Sequence, residues 1–245
     1  MAPTIVLITG CNRGIGKGLL ERYLAKPNHT IIAANRDPKH ETSQALFNLS
    51  KAEGTTLILI KIDATVQSDP ANAVEELAGR GIDHLDIVIA NAGIARLWVK
   101  VSKVTAEQMQ EHTVANTYGF IWLFQALLPL LKKSKKPTWV TIGSSSAFLT
   151  NMLPMKNAAY APSKLVGHWL TKAIHIEEPW LTAFPIDPGW VQTDLGNRGA
   201  DAFGYPEAAV TVADSTDGLV KVIDAASRDT HSGKLWSFEG QELPW

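Results

Sequence analysis

Short, β-branched apolar runs alternate with longer stretches whose apolar residues recur at helical spacing. Thr4–Thr9 (TIVLIT), Thr30–Ala34 (TIIAA), Thr56–Ile62 (TLILIKI), Ile87–Ala90, Thr138–Ile142, Leu181–Ile186 and Lys234–Phe238 read as seven buried strands. Between them, Lys17–Ala25 places Leu19, Leu20, Tyr23 and Leu24 at helical spacing. Glu41–Ala52, a segment within Val66–Gly81, Ala106–Tyr118, Gly119–Leu131, Ala159–Glu177 and Pro206–Ala226 also read as helices. Strict alternation predicts an α/β fold: a doubly wound, seven-stranded parallel sheet with helices on both faces and right-handed crossovers. No repeat, low-complexity tract or linker interrupts residues 1–245, so one domain is expected.

Composition narrows the picture. The chain has 245 residues, 45% of them hydrophobic, enough for one large core. A net charge of −1 gives no electrostatic footprint for nucleic acid, and none is expected as a partner. Lys132, Lys133, Lys135 and Lys136 follow an apolar helix and read as its solvated end. Cys11 is the single cysteine, so no intrachain disulfide forms; a reducing, cytoplasmic setting fits. The first residues lack the pattern of a signal peptide. The run Phe120–Leu131 is too short to span a bilayer, so no membrane is expected as a partner. The seven histidines show no ligand-like spacing, and no metal is expected.

The chemistry starts at the first strand. Thr9 leads into Gly10-Cys11-Asn12-Arg13-Gly14-Ile15-Gly16, and a helix follows at once. Strand, glycine turn and helix together make a phosphate-site candidate, because glycine lets the backbone approach a ligand and the helix start favours an anion. The second strand ends at Asn35-Arg36, with Asp37 one place later. An arginine here suits a 2′-phosphate, and Arg13 is a second cation for the same group, so NADP(H) is favoured over NAD(H). Asp63 closes the third strand, where it either starts a turn or meets an adenine amino group. Asn91-Ala92-Gly93 ends the fourth strand at the edge where open α/β sheets bind ligands. Asn116 sits in an apolar stretch and needs partners. The fifth strand runs into Gly143-Ser144-Ser145-Ser146. Tyr160 and Lys164 share a helix face, and an ammonium beside a phenol lowers its pKa from about 10 toward a value useful for proton exchange.

The ordered set of Thr9-Gly10-x-x-x-Gly14-x-Gly16, Asn91-Ala92-Gly93, Asn116, the serines, Tyr160-x-x-x-Lys164 and Pro188-Gly189 resembles the short-chain dehydrogenase/reductase family over essentially the whole chain. The resemblance implies a Rossmann-like fold and a proton relay of Asn116, Ser144, Tyr160 and Lys164. Tyr160 would be the acid, Lys164 would tune it and bind the nicotinamide ribose, Ser144 would orient the carbonyl, and Asn116 would hold a water. Gly10, Asn12, Arg13, Gly14, Ile15, Gly16, Arg36, Asp63, Asn91, Ala92, Gly93, Tyr160, Lys164, Pro188, Gly189, Val191 and Thr193 would line the cofactor. The family often carries two serines after the fifth strand, the second catalytic; counting places Gly143 first and Ser144 second, with Ser145 the alternative.

Arg36 and the closing Gly240–Trp245 resemble the carbonyl-reductase branch, which includes the sniffer type and the fungal norsolorinic-acid ketoreductase type. That implies reduction of a small-molecule ketone or aldehyde, an aromatic polyketide of secondary metabolism among the candidates. Arg96–Trp98, Phe148–Met155, Trp190 and Leu195–Tyr205 supply the aromatic and apolar surface for a substrate pocket. Two alternatives stay open: a non-redox biosynthetic enzyme on the same fold, and a non-catalytic NADP(H)-binding sensor. The apolar helices Ala106–Leu131 and Ala159–Ile176 suggest a homodimer or homotetramer.

Overall fold

β1 (Thr4–Thr9) occupies the middle of the sheet because both its faces are apolar: Val6, Leu7 and Ile8 are all fully buried. The computed structural model describes residues 2–245. The other strands are β2 (His29–Asn35), β3 (Thr56–Lys61), β4 (Ile87–Ala90), β5 (Thr138–Ile142), β6 (Thr182–Asp187), β7 (Leu235–Ser237) and β8 (Glu242–Leu243). They form one sheet in the order β3-β2-β1-β4-β5-β6-β7-β8. All neighbours run parallel except β8, which is antiparallel to β7. The order reverses between β1 and β4, which opens a crevice at their C-terminal ends.

The helices are α1 (Gly14–Leu24), α2 (Glu41–Gln44), α3 (Asp69–Gly79), α4 (Ala106–Thr113), α5 (Gly119–Leu131), α6 (Tyr160–Glu177), α7 (Asp194–Phe203) and α8 (Val212–Ala225). Period-2 alternation in the strands splits the core in two. Leu7, Ile32 and Trp139 pack with Leu77 of α3, Leu123 and Leu127 of α5 and Ile174 of α6. Val6, Ile8, Ile31 and Phe184 pack on the other face with Leu19 and Leu20 of α1 and Leu219 and Ile223 of α8.

Four details differ from the sequence reading. The sheet has eight strands among the described residues, because Gly240, at φ +84, turns the chain tightly enough for Glu242–Leu243 to pair back on β7. A two-residue strand has no periodicity to read. The helix from Glu41 stops at Gln44 and tightens into a 3₁₀ turn over Ala45–Asn48, and Leu49 is already extended. Leu195–Tyr205 is not a loop: Asp194–Phe203 is helical, capped by the Thr193 hydroxyl, which accepts from Gly196 N at 3.1 Å. Residues 206–211 are not helical, and Val210 instead bridges to Val191.

The apolar segment from Ala106 continues into Leu131 through a π-helical turn, Val114–Tyr118. Among the described residues this is the one helix long and apolar enough to cross a membrane, and half of its most apolar window is buried. That buried face is the core contact of Phe120, Leu123 and Leu127 beneath the sheet, and the same helix carries the buried polar side chains of His112 and Asn116.

Candidate active site

The glycine turn is held rigidly from three sides. Gly10 N donates to Ala34 O at 2.8 Å and Cys11 N to Asn35 Oδ1 at 2.7 Å, which ties it to the end of β2. Asn91 Nδ2 donates to Thr9 O at 2.8 Å, and the Thr9 hydroxyl accepts from Asn91 N and Ala92 N. Gly10 and Gly14 have φ of +70 and +54, which side-chain-bearing residues rarely adopt. Gly16 is a glycine for want of space: a Cβ there would lie 2.0 Å from Gly10 O. Arg13, the N-cap of α1, makes no side-chain cap bond, so the first-turn N–H groups face outward for an anion.

The flanking residues sort themselves by partner. Asn12 Nδ2 donates to Thr42 Oγ1 at 2.9 Å. Asp63 Oδ1 accepts from Thr65 N and Thr65 Oγ1, the turn-starting arrangement. Arg36 is exposed and has no side-chain partner among the described residues. The Arg13 guanidinium pairs with Asp194 at 3.0 Å, bridging the glycine turn to the start of α7. Both partners are largely exposed, and such a pair contributes little. Thr193, which caps α7, packs against the same turn; a Cβ on Gly14 would meet its methyl at 3.0 Å. Val191, Pro188 and Gly189 lie just before it, at the end of β6.

The reactive groups gather at the ends of β4, β5 and β6. Asn116 is presented by the π turn. Its Oδ1 accepts from Ile94 N at 2.8 Å, and its Nδ2 donates to Ile94 O and Ser163 Oγ, each at 2.9 Å. Lys164 Nζ donates to Ile142 O at 2.7 Å and lies 5.8 Å from the centre of the Tyr160 ring. The Ser144 hydroxyl bonds Ser146 Oγ at 2.8 Å and accepts from Ser146 N at 3.2 Å, and it lies near enough to the Tyr160 phenol to lower its pKa. The Ser145 N–H donates to Asp187 Oδ1 at 3.0 Å. A cavity of about 30 Å³ reaches Asn116, Thr141, Ser163 and Lys164, room for one water.

Electrostatically the site departs from the simple tyrosine–lysine picture. Burial raises the Tyr160 pKa to about 12; the Ser144 hydroxyl lowers it and the Asp187 carboxylate raises it. Desolvation is the largest influence on the phenol, and Lys164 donates to Ile142 O. Lys164 itself is lowered to about 8 by burial, against the pull of Asp187. Asp187 is raised by burial, and hydrogen bonds from Ser145 and Gly189 oppose that shift.

Two residues here escaped the sequence reading. Asp187 was visible only as a strand end. His168 lies four residues after Lys164 on α6, a spacing that puts it on the same face. Its Nε2 accepts from Ser144 N at 3.2 Å. Burial, with help from Lys164, lowers its pKa from 6.5 to about 4. The unfolded chain therefore takes up this proton between about pH 6.5 and 4 while the folded chain does not, and stability falls with pH through that window. The loss is expected to reach roughly 3 kcal/mol. Urea melts at pH 7 and 4.5 read it directly: His168→Gln should shrink the pH difference, and an unchanged difference would place the acid sensitivity elsewhere.

The substrate-side segments come together at the same sheet edge. Trp98 meets Phe203 edge-on at 6.3 Å, and Trp190 meets Tyr205 at 5.3 Å, which fastens α7 to the segment after β4. Leu149 and Met152, in the loop after β5, are 64% and 67% exposed, an unusual state for large apolar side chains.

A family model described as short chain dehydrogenase matches residues 4–202. Norsolorinic acid ketoreductase nor1 of Dothistroma septosporum is 42% identical, the alignment covering 99% of this chain and 92% of the relative. Norsolorinic acid ketoreductase of Aspergillus parasiticus is 40% identical over 99% of this chain and 91% of its own. Among solved structures, the NADPH-bound carbonyl reductase from chicken fatty liver matches with a TM-score of 0.86 and 28% identity, all of both chains being covered. The carbonyl reductase Sniffer of D. melanogaster shares the fold at a TM-score of 0.86 and 24% identity, again over both whole chains.

Proposed function

The chain belongs to the short-chain dehydrogenase family, and from that premise we propose that it is an NADP(H)-dependent ketoreductase in which Tyr160 is the general acid. The observation that carries the proposal is the gathering of Asn116, Ser144 and Tyr160 at the ends of β4 and β5, with Lys164 one turn further along α6 and bonded to Ile142 O. The glycine turn fits a dinucleotide, since the start of α1 has no side-chain cap over its first N–H groups and Gly16 lets the turn pack tightly on Gly10. Gly93 keeps the floor beside Lys164 low; a Cβ there would stand 3.6 Å from Nζ.

When bound, the reduced nicotinamide supplies a hydride to the carbonyl carbon. The protein's part is to hold the carbonyl oxygen and protonate it. Ser144 donates to that oxygen and orients it toward Tyr160. Tyr160, a phenol at neutral pH because burial raises its pKa, gives up the proton that completes the alcohol. Lys164 stabilises the phenolate left behind and passes a proton on. Asn116 holds the small cavity next to Lys164 open to one water, the next carrier toward solvent. The exposed Leu149 and Met152 and the edge formed by Trp190 and Tyr205 suit a flat, mostly apolar ketone, and an aromatic polyketide is the substrate class proposed.

The test is NADPH oxidation in the presence of aromatic ketones, quinones and polyketide anthraquinones, with the product identified as the alcohol. Arg36→Ala should weaken NADPH binding about 10- to 100-fold, the value of a charged hydrogen bond, and leave NADH binding unchanged. Equal effects on both cofactors would remove Arg36 from 2′-phosphate recognition. Tight NADPH binding with no alcohol from any ketone would sink the reductase reading.

We also place the enzyme in the cytoplasm as a homodimer or homotetramer. The outer face of α6 leaves Trp169 and Ile176 67% and 69% exposed, apolar surface that a second copy would cover. Sedimentation equilibrium giving the monomer mass would refute this assembly.

A further inference from the structure

His168 has no part in the chemistry described so far, yet it reaches the centre of it. The ring is 1% exposed, and its Nε2 accepts the Ser144 N–H at 3.2 Å. An accepting Nε2 puts the imidazole proton on Nδ1. That Nδ1 is buried and, among the described residues, has no hydrogen-bond partner. A buried polar atom left unmatched is costly, so packing alone would favour an apolar side chain here. The neighbouring backbone is shaped around the ring: a Cβ on Gly143 would lie 2.4 Å from Nε2. The Trp245 ring closes the other side edge-on at 6.3 Å. Burial and the Lys164 ammonium keep the imidazole neutral, so the acceptor lone pair persists at neutral pH.

We propose that His168 is a positioning residue for the reduction: by accepting the Ser144 N–H it fixes the backbone from which the Ser144 hydroxyl reaches Tyr160 and the substrate oxygen. Ser144 begins the short 3₁₀ turn Ser145–Ala147 in an extended conformation, and its hydroxyl is shared with Ser146 at 2.8 Å. Without the imidazole, its N–H loses its partner and the turn that carries the hydroxyl is free to shift away from Tyr160. A misplacement of about 1 Å at a reacting group costs on the order of 100-fold in rate.

This inference rests on the roles given above to Ser144 and Tyr160, and the experiment separates the two. Four variants are compared: His168→Leu, His168→Gln, Ser144→Ala and the double variant Ser144→Ala/His168→Leu. His168→Leu should lower kcat about 10- to 100-fold with NADPH affinity unchanged. His168→Gln places an amide oxygen where Nε2 sits and should stay within about threefold of the parent. In the Ser144→Ala background, His168→Leu should cost less than about threefold more, because its effect runs through a hydroxyl already gone.

Equal costs of His168→Leu in both backgrounds, a His168→Gln variant as impaired as His168→Leu, or full activity in His168→Leu would each overturn the proposal. If His168→Leu does not fold, Gly143→Ala takes its place. Its Cβ must push the ring off Ser144 and should lower kcat in the parent but not in Ser144→Ala. Full turnover in Ser144→Ala and Tyr160→Phe would instead refute the reading of the site itself.

Discussion

Tyr160→Phe is expected to lower ketone reduction by about 10³-fold, the middle of the range for a lost general acid, while NADPH binding stays within about twofold of the parent. The substitution removes one oxygen and keeps the ring. The ring's contact with Lys164, 5.8 Å from Nζ to its centre, is retained, and so is the Lys164 bond to Ile142 O. What disappears is the proton donor beside Ser144. The loss should appear in kcat in single-turnover NADPH oxidation, with fluorescence titration reporting the cofactor separately. A rate near the parent's would take Tyr160 out of the mechanism. Equal loss of binding would mean that the hydroxyl supports the cofactor site rather than the reaction.

Gly16→Ala should be nearly as damaging, by a different route. The added methyl would lie 2.0 Å from Gly10 O and 2.6 Å from Asn91 Nδ2. Neither neighbour can yield cheaply. Gly10 is fixed by its bond to Ala34 O, and Asn91 by its bond to Thr9 O. The turn or the start of α1 must move, at a cost of about 3 kcal/mol for such overpacking. For a chain of this size that lowers Tm by roughly 6 to 12 °C. Because the displaced backbone is the phosphate cradle, NADPH affinity should fall at least about 100-fold. Calorimetry and titration of the same sample check both effects. A Tm and an affinity equal to the parent's would show that the turn has slack the close packing does not suggest.

The sequence by itself determined seven of the eight strands, the sheet class and the candidates for reactive side chains. β1, β4 and β5 fall where the apolar runs place them, because a strand buried on both faces must be apolar throughout, and that leaves a mark in any single chain. The glycine turn was legible for a similar reason, since positive φ and missing Cβ space admit almost nothing else. α7 was obscured because Gly196 and Gly199 weaken its propensity. Both serve packing: a Cβ at Gly196 would strike Val191 O at 1.9 Å, and one at Gly199 would meet the Trp98 indole.

Tertiary structure alone decided between neighbours with the same chemistry. Ser144 and Ser145 are both hydroxyls one residue apart, and only the turn after β5 sets the Ser144 N–H on His168 and the Ser145 N–H on Asp187. It also decided that burial is the largest influence on the Tyr160 pKa, and that Arg13 pairs with Asp194 at the start of α7. His168 acquires its place only when α6 is laid against the end of β5. Local sequence records what a backbone segment can tolerate. Which polar atom faces which is set by contacts between segments far apart in the chain, and no periodicity within either segment encodes them.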